Sequence, residues 1–450
     1  MMSASLADYS RRNVPRYTSY PTVPHFSEAI GAEDYEGWLS AIDPDEPVSL
    51  YVHVPYCRQL CWYCGCNMKL ASRDAPIARY AAHLLDEIKL MDRLLPGRMS
   101  ISHLAWGGGT PTALEPDCLA RIMEAIGARF NFVPGAEISI ESDPRTLTQE
   151  MIRRIGALGF TRASFGVQEF DPKVQAAINR IQPPEMVRET VASLRGVGVT
   201  GINFDLMYGL PHQTIDMLRK SIEICAEIRP DRIALFGYAH VPWVAKKQRL
   251  IDEAALPGAA ERMEQAQEAQ KMLVDVGYEP IGLDHFALPG DSMAVAAQEK
   301  QLRRNFQGYT TDRAETLIGF GSTSISRTPH GHVQNLSETG AWARAVSAGQ
   351  LPVAKGIAFS ENDRLRSAVI EAIMCNGVVD LAKMARAFGA PINWASDAGP
   401  ELARMVRDGL IVCEGMEVRV SDAGSPLRRV VAAAFDAYLG AESARHSVAV

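Results

Sequence analysis

The chain has 450 residues, 47% of them hydrophobic and 22% charged, enough for one large core and a smaller second domain. Its 46 Lys and Arg against 53 Asp and Glu give a formal net charge of −7, which argues against nucleic acid as the default partner while leaving room for a local basic pocket. No apolar run approaches the roughly 20 residues needed to span a bilayer, so the expectation is a soluble, cytoplasmic protein without a membrane span, with a monomer as the default.

The chain opens MMSASLADYSRRNVPRY, without an apolar signal segment. Residues 1–47 read as a polar, aromatic extension in which prolines at 15, 21 and 24 disfavour helix. Arg11, Arg12, Arg16, Tyr17 and Tyr20 suit an anionic or flat ligand, or belong to a plain surface extension.

From Val48 the texture changes. VSLYVHVP is an apolar strand that delivers a loop with Cys57, Cys61, Cys64 and Cys66 inside ten residues, whereas Cys118, Cys225, Cys375 and Cys413 are scattered through apolar surroundings. A disulfide needs an oxidising compartment, and structural zinc usually draws on a second ligand pair from a separate knuckle. The third explanation is an iron–sulfur cluster held by thiolates. The spacing Cys-x3-Cys-x2-Cys supplies three ligands, Cys57, Cys61 and Cys64, and a four-iron cube would keep one iron open to a small molecule. This arrangement resembles the radical S-adenosylmethionine (SAM) superfamily. The resemblance implies a [4Fe-4S] cluster whose open iron chelates the amino and carboxylate groups of SAM, and whose reduced form releases a 5′-deoxyadenosyl radical. It also implies that Cys66, in the CGC ending, is not a ligand but a thiol packed beside the cluster.

Downstream, strands and helices alternate. Residues 77–95 carry apolar positions at helical intervals; ISHLAW is followed by a helix near 115–129, EISIES by one near 146–157, and TRASFGV by helices near 171–195. GINFDLMYG is followed by a helix near 214–227 and then by RIALFGYAHV. Six strands separated by helices predict an α/β fold with parallel strands, a partial (βα)6 TIM-like barrel. Chemistry in such folds collects at the C-terminal strand ends. The features expected there are the cysteine loop, Gly107 to Thr110, Glu141, Gln168, Asp205 and the segment Tyr238 to His240. The three glycines of WGGGTP let backbone approach a ligand closely, and Glu141 could accept from an amino group or a ribose, or form a salt bridge on the rim.

Residues 280–326 read mainly as loops on the substrate side, with AVAAQEKQLRR as a possible helix. Beyond Ser360, two helices, a further helix with a hairpin turning at Gly415, and a closing amphipathic helix over SPLRRVVAAAFDAYL suggest a winged-helix-like module. Residues 361–450 hold ten Lys and Arg against twelve Asp and Glu, which favours a packing or lid role over DNA binding. The expected division is therefore 1–47, an extension over the active site; 48–359, the partial barrel with its substrate loops; and 360–450, a mostly helical domain.

PRYTSYPT, YVHVPYC, CWYCGCN, AWGGGTPT, ISIESDPR, FGVQEFD, INFDLMYGLP, YAHVP, GLDHFALPGD, RRNFQGYTT and IGFGSTSIS occur in this order through nearly the whole chain. Together they resemble the oxygen-independent coproporphyrinogen III oxidases, a radical SAM family of haem biosynthesis. The resemblance implies two bound SAM molecules. The one at the cluster would be held by Tyr51, Gly108, Glu141 and Ile325. The second would be held by Tyr63, Gly109, Thr110, Gln168, Arg180, Asp205 and Ala239, with Tyr63 otherwise a packed loop aromatic. It also implies the reaction, in which two propionates of coproporphyrinogen III become vinyl groups with loss of two CO2, giving protoporphyrinogen IX, and a partner that donates electrons to the cluster. Arg16, His285, Arg303 and Arg304 are candidate anion partners of the substrate, with Phe306 and Tyr309 for the macrocycle. A haem-binding chaperone, or another radical SAM tetrapyrrole enzyme, is the alternative.

Overall fold

Val48–Val54 forms β1, a strand in which every residue except Tyr51 is buried, as expected of a strand covered on both faces. In the computed structural model, which describes residues 8–439, it starts a regular alternation. The strands are β2 (Ser100–Gly108), β3 (Asn131–Ser142), β4 (Arg162–Gln168), β5 (Gly201–Tyr208) and β6 (Arg232–Gly237). The helices that follow β1 to β6 are α1 (Asp74–Asp92), α2 (Pro116–Arg129), α3 (Gln149–Ala157), α4 (Pro184–Gly196), α5 (Ile215–Ile228) and α6 (Ala259–Asp275). β1 to β6 lie side by side in chain order and every neighbouring pair is parallel. The expected (βα)6 partial barrel is the observed fold.

Local chemistry sets the helix starts. Thr148 caps α3 by accepting from Met151 N, and Thr214 caps α5 by accepting from Met217 N, each satisfying an orphan donor of the first turn. The apolar stripes of the helices then turn inward: Leu84, Ile88 and Met91 on α1, and Ile222 and Cys225 on α5, are buried.

On its other side β1 pairs in parallel with β7 (Leu317–Phe320), and the sheet continues antiparallel through β8 (Ile325–Thr328) and β9 (Gly331–Asn335) to β10 (Val353–Ala358). Part of residues 280–326 is thus sheet, not loop. Its short strands carry Gly, Ser and Thr, which hide the usual apolar signature. A helix over Ala32–Ser40 also lies within the segment read as extension; prolines 15, 21 and 24 all precede it.

The chain separates into two compact units, one of Ser27–Tyr278 with Ala314–Gly356, the other of Met1–Phe26, Glu279–Arg313 and Ile357–Val450. The first contains β1 to β9. In the second, α7 (Glu361–Asn376) begins with a Ser360/Asp363 capping box and ends at Gly377 with φ 66°. β11 (Val378–Asp380), β12 (Ile411–Glu414) and β13 (Glu417–Val420) form an antiparallel sheet in the order β11-β13-β12, the wing-like hairpin turning at Gly415. The closing helix is short, Arg428–Ala433. Residues 1–7 and 440–450, at the two ends of the expected division, lie outside the described residues.

The N-terminal aromatics belong to the core of this second unit. Tyr9, Val14, Tyr17 and Tyr20 are buried with Val369, Ile373 and Val431. Tyr17 Oη donates to Asp436 at 3.0 Å, Tyr20 Oη accepts from Ala437 N at 3.0 Å, and Arg12 pairs with Glu401 at 2.5 Å. The ligand-like look of Arg12, Tyr17 and Tyr20 therefore has a packing explanation. Among the described residues, no helix is long and apolar enough to cross a membrane.

Candidate active site

The cysteine loop leaves the C-terminal end of β1 and is pinned on both sides. Trp62 N donates to Ile178 O at 3.0 Å, Asn179 Nδ2 to Leu60 O at 2.7 Å, and Gln248 Nε2 to both Tyr63 O (2.7 Å) and Ala239 O (3.1 Å). Gln248 thereby brings Tyr63 to the segment after β6. The Tyr63 ring is half-buried against a cluster that includes Val174, Ile178 and Tyr238.

Each thiol of the loop has a different environment. Cys61 is buried, with Arg145 Nη2 at 3.1 Å and Arg180 Nη1 at 3.3 Å from its Sγ. Asp143 balances that charge, binding Arg145 at 2.6 Å and Arg180 at 3.4 Å. Cys57 lies 3.4 Å from Thr110 Oγ1; burial pushes its thiol up to about 11, which the Thr110 hydrogen bond opposes. Cys64 is drawn down to about 5, first by a hydrogen bond from the Cys66 thiol and then by Lys247. Cys66, exposed rather than packed as expected, donates its backbone N–H to Cys64 Sγ at 3.4 Å, and its own thiol is pushed well up beside the Cys64 sulfur.

The glycines at the end of β2 form the next wall. A Cβ on Gly107 would lie 2.9 Å from Glu141 Oε1 and 3.0 Å from Tyr51 Oη. Gly108 adopts φ +115°, where a Cβ would press 2.6 Å from the His53 ring, and one on Gly109 would lie 2.8 Å from the backbone of Tyr56. Gly108 N donates to Glu141 Oε2 at 3.0 Å. Glu141 is exposed. The protein around it still desolvates the carboxyl and, with Asp205, pushes it up to about 7. Tyr51 Oη and His53 Nδ1 are 3.0 Å apart. Burial, reinforced by Glu141, raises the phenol, while burial lowers His53 to about 4, so both are uncharged near neutrality. Gly319 on β7 is level with Tyr51, and a Cβ there would lie 2.9 Å from the carbonyl of Ile325.

At the end of β4, Gln168 takes φ +67° beside a register shift between Gly166 and Gln168. Arg180 Nε donates to Gly166 O at 2.7 Å, placing the guanidinium between that strand end and Cys61. Asp205 departs from the strand-end expectation. It is the fifth residue of β5, level with Gly166 and Ala234, because β5 continues in register with β6 to Tyr208.

The residues expected on the substrate side fall in the second unit and are engaged there. Arg303 pairs with Glu371 at 3.0 Å and His285 with Asp284 at 2.6 Å. Arg304 stacks 4.4 Å over the Tyr309 ring and donates to the carbonyls of Tyr17 and Arg16 at 3.2 Å each. Tyr309 is itself buried, donating to Met374 O at 2.9 Å.

These arrangements fit the cofactors that the sequence implies. Three free thiols in one loop, Cys57, Cys61 and Cys64, suit a polynuclear centre in which each thiolate meets a different iron. The glycine wall, bare of Cβ atoms and edged by the Glu141 carboxylate, suits the amino-acid end of SAM. Sequence reasoning missed His53, Asp143, Arg145, Thr110 as a partner of Cys57, and Gln248. His53, Asp143 and Arg145 carried a signal, from their places inside YVHVPYC and ESDPR, whereas Gln248 lies in none of the motifs.

A model described as the radical SAM superfamily matches residues 51–225. The chain is 46% identical over 450 residues to the oxygen-independent coproporphyrinogen III oxidase of Bradyrhizobium diazoefficiens, covering 100% of both. It is 44% identical over 436 residues to coproporphyrinogen III oxidase, anaerobic 1, of Cereibacter sphaeroides, covering 97% of this chain and 96% of that one. Among solved structures, coproporphyrinogen III oxidase from Escherichia coli, described as a radical SAM enzyme, matches with a TM-score of 0.92 at 36% identity, covering 98% of this chain and 99% of that one.

Proposed function

The chain belongs to the oxygen-independent coproporphyrinogen III oxidases of the radical SAM superfamily, and from that premise we propose how its residues divide the work. The protein is an oxidoreductase of haem biosynthesis that converts two propionates of coproporphyrinogen III to vinyl groups without oxygen, using a [4Fe-4S] cluster and SAM. A cluster held by Cys57, Cys61 and Cys64 would supply the electron for reductive cleavage of SAM, and with it the hydrogen abstraction at the propionate β-carbon.

Cys57, Cys61 and Cys64 hold the cluster in this proposal, and the Cys66 amide donates to the Cys64 sulfur. Arg145 and Arg180 set positive charge beside Cys61 and keep that thiol oriented. Tyr51, Gly108, Glu141 and Ile325 receive the SAM at the cluster, where Glu141 accepts from its amino group and the uncharged Tyr51–His53 pair closes the wall. Tyr63, Gly109, Thr110, Gln168, Arg180, Asp205 and Ala239 receive a second SAM, Gln248 fixing the approach of Tyr63 to Ala239. No cofactor ligand is assigned to residues 1–47 or 360–450. The protein works as a cytoplasmic monomer supplied with electrons by a separate donor.

The observation that carries this reading is the glycine wall of β2, too close to Tyr51, His53 and Glu141 for any Cβ and continuous with the cysteine loop through Thr110 and Cys57. It is tested anaerobically, with the cluster reconstituted and a reductant supplied. Coproporphyrinogen III and SAM should yield protoporphyrinogen IX and 5′-deoxyadenosine. Stoichiometric haem binding without decarboxylation would overturn it.

A further inference from the structure

A cavity of about 490 Å³ opens against the outer strand of the cysteine loop. Its wall includes Lys69–Leu70, a two-residue strand paired with Tyr56–Cys57. Leu70 is level with Cys57, and Ala71 N donates to Cys57 O at 3.0 Å. One strand spacing, about 4.8 Å, therefore separates the cavity wall from the backbone of a proposed cluster ligand. The floor is aromatic: Tyr56 and Tyr80 meet at 5.5 Å, Tyr80 and Trp342 at 4.5 Å.

The rim is basic. Lys69, Arg73 and Arg79 line the cavity and no lining residue is acidic, which stands out on a chain of net charge −7. Lys69 is shared with Glu338 at 3.1 Å, but Arg73 and Arg79 are exposed and form no ion pair among the described residues. Leu70 is 56% exposed beside them, an apolar contact next to the two arginines. Two uncompensated arginines around an exposed leucine, over a wall one strand from Cys57, fit a protein surface of opposite charge.

We propose that this cavity and its rim are the docking surface for a small acidic one-electron carrier protein that reduces the cluster. The inference rests on the assignment of Cys57, Cys61 and Cys64 as cluster ligands. In the transfer the reduced carrier gives up one electron and the cluster gains it, passing from the 2+ to the 1+ state, with no bond or proton exchanged. Lys69, Arg73 and Arg79 steer and orient the carrier, and Leu70 and the aromatic floor supply contact area.

The test uses the full chain with its cluster reconstituted, and flavodoxin, an acidic one-electron flavoprotein, as the probe. The affinity for flavodoxin and its dependence on salt are measured for the native protein, for Arg73→Glu/Arg79→Glu, and for Arg121→Glu/Arg153→Glu. The last carries the same charge change on exposed positions of α2 and α3. Reversing the rim arginines should raise Kd by about tenfold at low salt and flatten its salt dependence. SAM cleavage driven by dithionite should stay unchanged in that variant, while cleavage driven by reduced flavodoxin falls. The control pair should bind flavodoxin like the native protein. Equal Kd values for native and rim-reversed protein would overturn the docking surface, as would equal weakening in the control pair, or binding of a reduced pyridine nucleotide in place of flavodoxin. If the native protein assembles no cluster or cleaves no SAM with dithionite, the cluster assignment itself falls.

Discussion

Gly108 donates its amide hydrogen to Glu141 Oε2 at 3.0 Å, which ties the end of β2 to the end of β3. The same glycine is held at φ +115° under the His53 ring, so a single residue links the carboxylate, the histidine and the strand that leads to Thr110 and Cys57. The wall is built by leaving atoms out, because the Glu141, Tyr51 and His53 side chains and the Tyr56 backbone crowd the places of the missing Cβ atoms.

Gly108→Ala should consequently damage the site twice. The new Cβ would sit 2.6 Å from the His53 ring at a φ that L residues rarely adopt, a combination worth about 1–3 kcal/mol of strain. The expected result is a lower unfolding midpoint and at least a tenfold weaker SAM affinity, read by equilibrium titration. A variant that folds and binds SAM as the native protein does would show that the wall does not receive the cofactor.

The thiols should behave unequally. Cys61→Ala should remove iron, sulfide and visible absorbance together with turnover, because a buried sulfur between Arg145 and Arg180 would be lost. Cys66→Ala should still assemble a cluster, since the donor to Cys64 is the Cys66 backbone amide, which the substitution keeps, and Cys66 is not itself an assigned ligand. Iron and sulfide analysis of the two variants decides the assignment, and loss of iron from the Cys66 variant would contradict it.

Arg145→Met isolates the charge beside Cys61. It removes the N–H···S contact at 3.1 Å and one partner of Asp143, while Arg180 keeps its own contact with both. Hydrogen bonds to cluster sulfur favour the reduced state. The reduction potential should therefore fall, with iron content near normal, and Arg145→Lys should recover part of the shift. An unchanged potential by spectroelectrochemical titration would reduce Arg145 to a loop anchor.

Much of this architecture was legible because period and motif agree. β1 to β6 are apolar runs between amphipathic helices, and the cysteine loop lies where β1 ends. Other parts were hidden for physical reasons. β7 to β9 are short strands rich in Gly, Ser and Thr, whose place depends on pairing with β1 and one another. Gln248 reads as an ordinary polar residue until Tyr63 and Ala239 are seen sharing its amide. Tyr17 and Tyr20 looked available to a ligand because nothing local indicated that residues 365–435 would bury them. Long-range pairing leaves no period in a sequence, so partners chosen that way emerge only in three dimensions.

The buried carboxylate Glu87 yields a prediction of stability against pH. It lies on α1 beneath β7, where Oε2 accepts from Gly321 N at 2.6 Å and Oε1 from Asn335 Nδ2 at 2.8 Å and Trp342 Nε1 at 3.2 Å. Burial outweighs these donors and pushes its carboxyl up from 4.5 to about 7. The folded state thus holds the proton more tightly than the unfolded state. The contribution is fully present below pH 4.5 and is lost as pH rises through about 7. Glu87→Gln cannot ionise. It forfeits good geometry at one donor, because its amide nitrogen meets another N–H, but that cost is the same at every pH. Relative to the native protein, the variant should therefore gain about 2 kcal/mol between pH 5 and pH 8, measured as the change in the difference of unfolding free energies in urea. A difference independent of pH would mean that Glu87 is ionised throughout and that its three donors, rather than burial, decide its charge.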